Sequence, residues 1–209
     1  MRPLTPWRRP LFLILVDGPR FPESGWDVMA SVMPLADAIL IRNPREHPRA
    51  LWELGLAVRR VVPNTPLWVN GPLEVALTLE AEGWHLPSKQ VPASLLKHHW
   101  PGILSASAHT PEEVSWHHQA NILVWGHAFP TRSKPDAPPR NNLAAVRLKA
   151  GAPILAIGGI TAHTAPLLSG QGLSGVVVAD GVWEAREPVE AAQRIRAALD
   201  APEWIISAQ

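Results

Sequence analysis

The chain has 209 residues, of which 46% are hydrophobic, so it is long enough for one domain with a substantial core. Its formal net charge of +1 argues against a surface for nucleic acid or anionic membrane, and the absence of cysteine excludes disulfides, thiolate metal sites and cysteine nucleophiles. No stretch approaches the roughly 20 apolar residues of a membrane span, and we expect a cytoplasmic protein.

Short apolar runs alternate with segments of helical spacing along the chain. Continuous apolar runs are typical of strands buried on both faces of a parallel sheet, and they predict strands at Leu11–Asp17, Asp37–Arg42, Leu67–Asn70, Trp84–Leu86, Ile103–Ala108, Asn121–Gly126, Pro153–Ile160 and Gly175–Ala179. Apolar residues three and four apart predict helices at Glu23–Met33, Pro48–Val62, from Pro72 to Gly83, Ala93–His99, Pro111–Gln119, Leu143–Ala150, Ala162–Ser169 and Pro188–Asp200.

This alternation predicts an α/β fold with a parallel sheet. About eight strand–helix units in this length suit a closed (β/α)8 TIM barrel, and we expect a single domain over residues 1–209. An open dinucleotide-binding sheet is disfavoured, because no G-x-G-x-x-G motif follows the first strand.

The seventh predicted strand, Pro153–Ile160, ends in two adjacent glycines. Gly158 and Gly159 would let a ligand approach the backbone, and a helical segment starting at Thr161 would add free N–H groups. With the strand that follows, this pattern is typical of the phosphate corner of a barrel. A plain core strand followed by a glycine turn is the alternative.

Polar residues lie at the ends of the predicted strands, where a TIM barrel carries its function. They include Arg42, Asn70, His85, Ser105, Ser107 and His109. Ser105, Ser107 and His109 follow at every second position, so they share one face of their strand. They therefore belong either to a functional site or to a hydrogen-bonded cluster in the core.

The loop after the sixth strand carries a second potential anion site. Thr131, Ser133 and Lys134 offer two hydroxyls and an ammonium group close together, with a solvated loop as the alternative. The adjacent histidines His117 and His118 point in different directions on a helix, so we expect surface residues rather than metal ligands.

Five segments match the motifs of one protein family. Residues Gly126–Pro135 match the loop pattern G-x-x-F-x-T-x-[ST]-K, and Ala156–Ile160 match the phosphate strand A-I-G-G-I. Ser107–Thr110 match S-x-H-[ST], Val69–Asn70 begin a V-N-D segment, and Gly83–Leu86 are similar to G-V-H-L. In these motifs and their order, the chain resembles the thiamine phosphate synthases and their TenI-type relatives.

The departures from this family concern the handling of a diphosphate. The synthases join a pyrimidine diphosphate to a thiazole phosphate and use Mg²⁺ on the pyrophosphate. Their strand-two signature Q-x-R-x-K reads Leu40–Pro44 here, without the glutamine and the lysine. The two metal aspartates are missing as well, since Gly71 follows V-N and Pro87–Gln90 contains no carboxylate. Because Mg²⁺ prefers carboxylate oxygens, synthase activity is expected to be absent or very weak.

The resemblance therefore implies the TenI branch, whose members are thiazole tautomerases. Such an isomerase of thiamine biosynthesis moves a proton on a thiazole phosphate carboxylate with no metal and no cofactor. His109 is the expected catalytic proton shuttle, and the expected substrate-binding residues are Arg42, Asn70, Ser107, Gly126, Thr131, Ser133, Lys134, Gly158, Gly159 and Asp180. The alternatives are a thiamine phosphate synthase, which is a transferase, and a non-catalytic relative that binds a phosphate ester.

Asp180 is a further departure, because the family has a serine after the eighth strand. A carboxylate beside a phosphate dianion is repulsive by on the order of a kcal/mol, so Asp180 points away, acts as a base, or indicates a different ligand. The resemblance also implies a small phosphorylated thiazole-type substrate and a homodimer or larger assembly. Neither nucleic acid nor membrane is expected as a partner.

Overall fold

The computed structural model describes residues 9–44 and 47–204, in which eight parallel strands close into a barrel. The strands are β1 (Leu11–Asp17), β2 (Ala38–Arg42), β3 (Leu67–Asn70), β4 (Gly83–Leu86), β5 (Ile103–Ser107), β6 (Ile122–Gly126), β7 (Ile154–Ile157) and β8 (Gly175–Val178). Each strand pairs with the next, and β8 pairs with β1. The predicted (β/α)8 TIM barrel is thus confirmed, although residues 1–8, 45–46 and 205–209 of the predicted domain lie outside the described residues.

Helices between the strands cover the outside of the barrel. They are α1 (Ser24–Val32), α2 (Pro48–Val61), α3 (Leu73–Thr78), α4 (Ala93–Leu96), α5 (Pro111–Trp116), α6 (Leu143–Lys149), α7 (Asp180–Trp183) and α8 (Pro188–Leu199). The short helix α7, directly after β8, is absent from the sequence prediction. None of the described helices is long and apolar enough to cross a membrane.

Side chains alternate between two apolar layers along each strand. In β1, Leu13 and Leu15 belong to a cluster inside the barrel, whereas Phe12 and Ile14 belong to the larger cluster shared with the helices. This alternation is the period of two that every extended strand imposes. Both sides of the strands are therefore buried, as continuous apolar runs predict.

A polar layer lies above the apolar interior, at the carboxyl ends of β1 to β5. The step of two residues brings Asp17, Arg42 and Asn70 to the interior face. The strand register then places Asp17 beside Arg42, Arg42 beside Asn70, and Asn70 beside His85. Neighbouring strands thus bring polar groups from distant parts of the sequence together at one end of the barrel.

The segment after β7 corrects the helix predicted over 162–169, because only Ala165–Leu168 form a turn of 3-10 helix. The hydroxyl of Thr164 accepts a hydrogen bond from the Thr161 N–H at 2.9 Å, and the hydroxyl of Thr161 accepts one from the Thr164 N–H at 3.2 Å. Such side-chain bonds compete with helix formation, and Pro166 has no N–H to donate. The helix N-terminus expected at Thr161 to hold an anion is therefore not formed.

Candidate active site

Two adjoining cavities open at the carboxyl ends of the strands. The larger cavity, of about 700 Å³, lies at the ends of β6, β7 and β8. The smaller cavity, of about 500 Å³, lies at the ends of β2, β3 and β4. Arg42, Ser107 and His109 line both cavities, which therefore form one continuous mouth at the functional end of the barrel.

Two glycines after β7 form one wall of the larger cavity. Gly158 and Gly159 have φ angles of +97° and +66°, a region that favours glycine. A Cβ atom at Gly159 would lie only 2.4 Å from the carbonyl oxygen of Pro130 in the loop after β6. The backbone N–H of Phe129 also donates a hydrogen bond to the Gly158 carbonyl at 3.0 Å. These glycines therefore set the position of the loop as well as exposing their own backbone.

The loop after β6 presents the predicted anion-binding side chains to the same cavity. Thr131, Ser133 and Lys134 all line it, and the two hydroxyl oxygens lie 3.2 Å apart. Within the described residues, Lys134 makes no ion pair with a carboxylate. The fold thus brings the two separately predicted anion-binding segments into one cavity.

Two carboxylates also line the larger cavity, and both are paired with arginines. Asp180 forms an ion pair with Arg20, which follows β1, and Glu184 forms one with Arg132 in the loop after β6. Because Arg20 balances the charge of Asp180, the repulsion expected between this carboxylate and a bound phosphate is reduced. Each ion pair also connects two separate segments that line the larger cavity.

A buried carboxylate at the end of β1 holds Arg42 in place. Asp17 Oδ2 accepts a hydrogen bond from Arg42 Nη2 at 2.7 Å, and the two side chains are 8% and 32% exposed. The second oxygen, Oδ1, is buried without a partner among the described residues. The guanidinium group is therefore fixed at the junction of the two cavities.

His85 is held between two serines inside the barrel. Its Nδ1 lies 2.9 Å from Ser105 Oγ and its Nε2 lies 3.0 Å from Ser107 Oγ. Burial, with a smaller contribution from the charge of Arg42, lowers the pKa of His85 to about 3. The imidazole is therefore neutral at physiological pH, and it is His85 rather than His109 that bonds the two serines.

Acidification is expected to destabilise the fold through His85. In the unfolded chain this group titrates near 6.5, whereas its folded pKa is about 3, so between these values the unfolded chain binds more protons. The contribution of His85 to the free energy of unfolding is therefore constant above about pH 6.5. It falls as the pH is lowered, by on the order of 3 kcal/mol at about pH 4. Urea denaturation between these pH values measures the loss. The variant His85→Gln should flatten the pH dependence and the exposed His118→Gln should not; equal slopes in the two variants would contradict this origin.

His109, the predicted catalytic residue, lies where the two cavities meet. Its backbone is fixed on both sides, because its N–H donates to Glu113 Oε2 at 2.7 Å and its carbonyl accepts from Asn142 Nδ2 at 2.8 Å. Burial and then the charge of Arg140 lower the pKa of His109 to about 4. The neutral ring differs from the expected shuttle that titrates near neutrality.

All eleven predicted site residues line the mouth. The larger cavity receives Arg42, Ser107, His109, Gly126, Thr131, Ser133, Lys134, Gly158, Gly159 and Asp180, and Asn70 lines the smaller cavity. Their roles stay predictions. Sequence reasoning missed Asp17, Arg20 and His47. The rule of polar strand ends would have found Asp17, whereas Arg20 and His47 lie in connections and carry no comparable signal.

The adjacent histidines after α5 separate into one buried and one exposed residue. His117 is 0% exposed and its Nε2 lies 3.2 Å from the Ser88 carbonyl oxygen. His118 is exposed. The surface prediction is thus right for His118 and wrong for His117, because α5 ends at Trp116 and the chain then turns His117 inward.

The comparison with protein families identifies the chain. A family model described as thiamine monophosphate synthase matches residues 26–182, well over half of the sequence. The chain belongs to the thiamine monophosphate synthase family. The matched range contains both the loop after β6 and the glycines after β7, so the resemblance carried by these motifs is confirmed at the level of the family.

The similar proteins found by sequence comparison are named thiamine-phosphate synthases. The thiamine-phosphate synthase of Moorella thermoacetica is 34% identical over 170 residues, which cover 77% of this chain and 81% of the relative. That of Roseiflexus castenholzii is 35% identical, covering 80% and 77%. A thiamine phosphate pyrophosphorylase from Pyrococcus furiosus superposes with a TM-score of 0.76 at 25% identity, covering 92% of this chain and 96% of that one. The similarity to a 3-hexulose-6-phosphate synthase, at 19% identity, shows the fold alone.

These relatives overturn the prediction of an isomerase. Thiamine-phosphate synthases are transferases, so the expected thiazole tautomerase with absent or very weak synthase activity is wrong. The TenI branch has no support among the named relatives. The error has a physical source: the matched motifs are expected in both branches of the family, and the missing carboxylates alone do not specify the reaction.

The family resemblance implies a magnesium ion held by protein carboxylates. The residues at the mouth do not fit such an ion. The neutral residues Gly71 and Ser88 stand after β3 and β4, and Asp17 already accepts a hydrogen bond from Arg42. Across residues 9–44 and 47–204, no group of three or more His, Cys, Asp or Glu side chains could hold a metal. The protein therefore contributes its own cations and hydrogen-bond donors at the mouth.

Proposed function

We propose that this protein is a transferase that joins hydroxymethylpyrimidine diphosphate to thiazole phosphate, giving thiamine phosphate and pyrophosphate. The observation that carries the proposal is that two segments predicted to bind anions meet, since Thr131, Ser133, Lys134 and Gly159 line one cavity of the mouth. Relatives of 34% and 35% identity that are named thiamine-phosphate synthases support it.

The proposed reaction has two anionic groups, the phosphate of the thiazole and the diphosphate of the pyrimidine, and they lie on opposite sides of the reacting carbon atom. The thiazole nitrogen forms a bond to the methylene carbon of the pyrimidine, while the bond from this carbon to the diphosphate oxygen breaks and its electron pair leaves with pyrophosphate. The larger cavity suits the thiazole phosphate, because hydroxyls, an ammonium group and glycine backbone can surround a phosphate.

The junction of the cavities is then the place for the reacting carbon. Ser107 and the neutral His109 line this junction and can form hydrogen bonds with the uncharged pyrimidine ring. Arg42 lies beside them, where negative charge develops on the leaving diphosphate, and fixed cations at such a position stabilise the transition state. The protein thus contributes orientation and charge, and no proton transfer by His109 is required.

The purified protein should convert the two substrates to thiamine phosphate, with one pyrophosphate released per product. Mass spectrometry of the mixture and an enzymatic pyrophosphate assay measure the two products separately. Substrate binding without either product would overturn the transferase and leave a protein that binds phosphate esters.

Removing the ammonium group of Lys134 is expected to lower kcat/KM by about ten- to a hundredfold, the typical effect of losing a charge-assisted hydrogen bond to phosphate. Lys149→Ala is the matched control, because Lys149 is exposed at the end of α6 and lines neither cavity. Steady-state kinetics of Lys134→Ala and Lys149→Ala measure this difference in kcat/KM. Indistinguishable kcat/KM values would contradict the assigned phosphate site.

A further inference from the structure

The loop after β4 forms part of the wall of the smaller cavity. Pro87 and Ser88 line this cavity, and most of residues 87–91 are exposed. The bonds within the loop run from the Gln90 N–H to the Pro87 carbonyl and from the Val91 N–H to the Gln90 side chain. An exposed loop with few internal bonds depends on its neighbours for a fixed position.

Two side chains at the end of α5 hold this loop. His117 Nε2 lies 3.2 Å from the Ser88 carbonyl oxygen, and Trp116 Nε1 donates a hydrogen bond to the Gln90 carbonyl at 2.8 Å. Among the described residues, no other hydrogen bond joins residues 87–91 to another element. The position of this part of the cavity wall therefore depends on two neighbouring donors that lie outside the mouth.

The imidazole of His117 is buried and makes a single hydrogen bond. Its backbone is fixed, because its N–H donates to the Glu113 carbonyl at 3.0 Å and its carbonyl accepts from the Ala120 N–H at 2.9 Å. Burial lowers the pKa of the ring, and in the neutral ring the Ser88 carbonyl assigns the proton to Nε2. Nδ1 is buried without a partner within the described part of the chain. Packing alone does not explain a buried ring with one unpaired nitrogen, because such burial costs free energy.

The same helix also fixes His109 at the junction of the cavities. Glu113 Oε2 accepts the His109 N–H at 2.7 Å, while the Glu113 carbonyl accepts the His117 N–H at 3.0 Å. One residue of α5 thus connects the histidine at the junction to the histidine that holds the loop. Because His109 and Ser88 both line the smaller cavity, α5 sets the distance between two of its lining segments.

We propose that His117, assisted by Trp116, is a positioning residue for the pyrimidine diphosphate substrate, because its Nε2–H holds the loop after β4 at the cavity that receives this substrate. The role rests on the proposed transferase function, in which the thiazole phosphate occupies the larger cavity and the second substrate the smaller one. His117 lines neither cavity, so it acts through Ser88 and does not touch the substrate.

Steady-state kinetics of His117→Leu, with each substrate varied in turn, test this inference. Leucine fills the buried space without a donor, so KM for hydroxymethylpyrimidine diphosphate should rise about tenfold, the effect of one lost hydrogen bond. KM for thiazole phosphate should not change, because the segments after β6, β7 and β8 bound its cavity. His117→Gln keeps an N–H donor and should retain a KM close to that of the wild-type protein.

His118→Leu is the matched control, because the same substitution is made one residue further along the chain. His118 is exposed, its Nδ1 lies 3.0 Å from the Ser115 carbonyl oxygen, and it lines neither cavity. Both KM values should stay at their wild-type level. Trp116→Phe keeps the inference testable if His117→Leu does not fold, since it removes only an indole N–H from a side chain that is 51% exposed. It should raise the same KM.

Hydrogen exchange measured by mass spectrometry follows the loop without the reaction. The amides of Gln90 and Val91 should exchange faster in His117→Leu than in the wild-type protein, whereas those of residues 131–134 should not change. Unchanged exchange of the loop, an unchanged KM for the pyrimidine diphosphate, an equal rise for both substrates, or equal losses in the leucine and glutamine variants would each overturn the inference. A wild-type protein that forms no thiamine phosphate would instead overturn the proposed function, and faster exchange in His117→Leu would still show that His117 holds the loop.

Discussion

Replacing Gly159 by alanine is expected to lower kcat/KM for thiamine phosphate formation by about a hundredfold, the effect of a shift of about 1 Å in a binding element. The added Cβ would lie 2.4 Å from the Pro130 carbonyl oxygen and 2.8 Å from the Phe129 Cβ. Both atoms belong to the loop after β6, so the loop has to move. Thr131 and Lys134 follow in that loop and would leave their positions over the larger cavity.

Gly170→Ala separates this clash from backbone strain. Gly170 has a φ of +71°, close to the +66° of Gly159, but a Cβ there meets no atom within 4 Å. The backbone strain should cost each variant about 1 kcal/mol of unfolding free energy, since alanine is disfavoured at positive φ, and Gly159→Ala should lose more because of its clash. Only Gly159→Ala should lose activity as well. Equal kinetics of the two variants would contradict the account of the loop, and urea denaturation of both measures the strain that they share.

Asp37→Ala is expected to lower the free energy of unfolding by about 3 kcal/mol, the lower end for breaking a buried ion pair. Asp37 Oδ2 accepts from the Phe12 N–H at 2.8 Å and from Arg196 Nη1 at 3.2 Å, and Oδ1 accepts from Arg9 at 2.8 Å. The Arg196 side chain is only 8% exposed and would keep Asp200 as its remaining carboxylate. The Asp37 carboxylate thus connects β1 to α8.

Glu53→Ala provides the comparison for a surface ion pair. Glu53 pairs with Arg49 four residues away, and the two side chains are 52% and 79% exposed. Exposed pairs of this kind contribute a few tenths of a kcal/mol. Chemical denaturation of both variants measures the difference. A loss for Asp37→Ala as small as that for Glu53→Ala would show that the Asp37 hydrogen bonds add little to stability.

The strands of this fold can be predicted from sequence because each is buried on both faces. The predicted bounds of β1 and β3 agree with the structure at every residue, since an apolar run ends there at Asp17 and Asn70. The connections are harder to predict. The turn after β7 is set by hydrogen bonds of the Thr161 and Thr164 side chains, and these bonds replace a helix whose apolar spacing is present.

The candidate site could be located from sequence, but its chemistry could not be derived. Strand ends, two glycines, the loop after β6 and the family resemblance together identified residues that line one mouth. The ion pair of Asp180 could not be predicted, because closure of the barrel between β8 and β1 brings Arg20 to it, and the ion pair of Asp17 with Arg42 depends on the register of β1 and β2. A neutral His109 also follows from burial in the folded chain. The sequence shows neither these ion pairs nor the neutral imidazole. The missing carboxylates therefore led to the prediction of an isomerase, which the relatives contradict.

A crystal structure with thiazole phosphate and inorganic pyrophosphate bound together is the most direct test of the account. We expect the thiazole phosphate in the larger cavity, with its phosphate against Gly159 and Thr131, and pyrophosphate in the smaller cavity on Arg42. Either anion outside the mouth, or a magnesium ion ligated by protein side chains between them, would contradict the account.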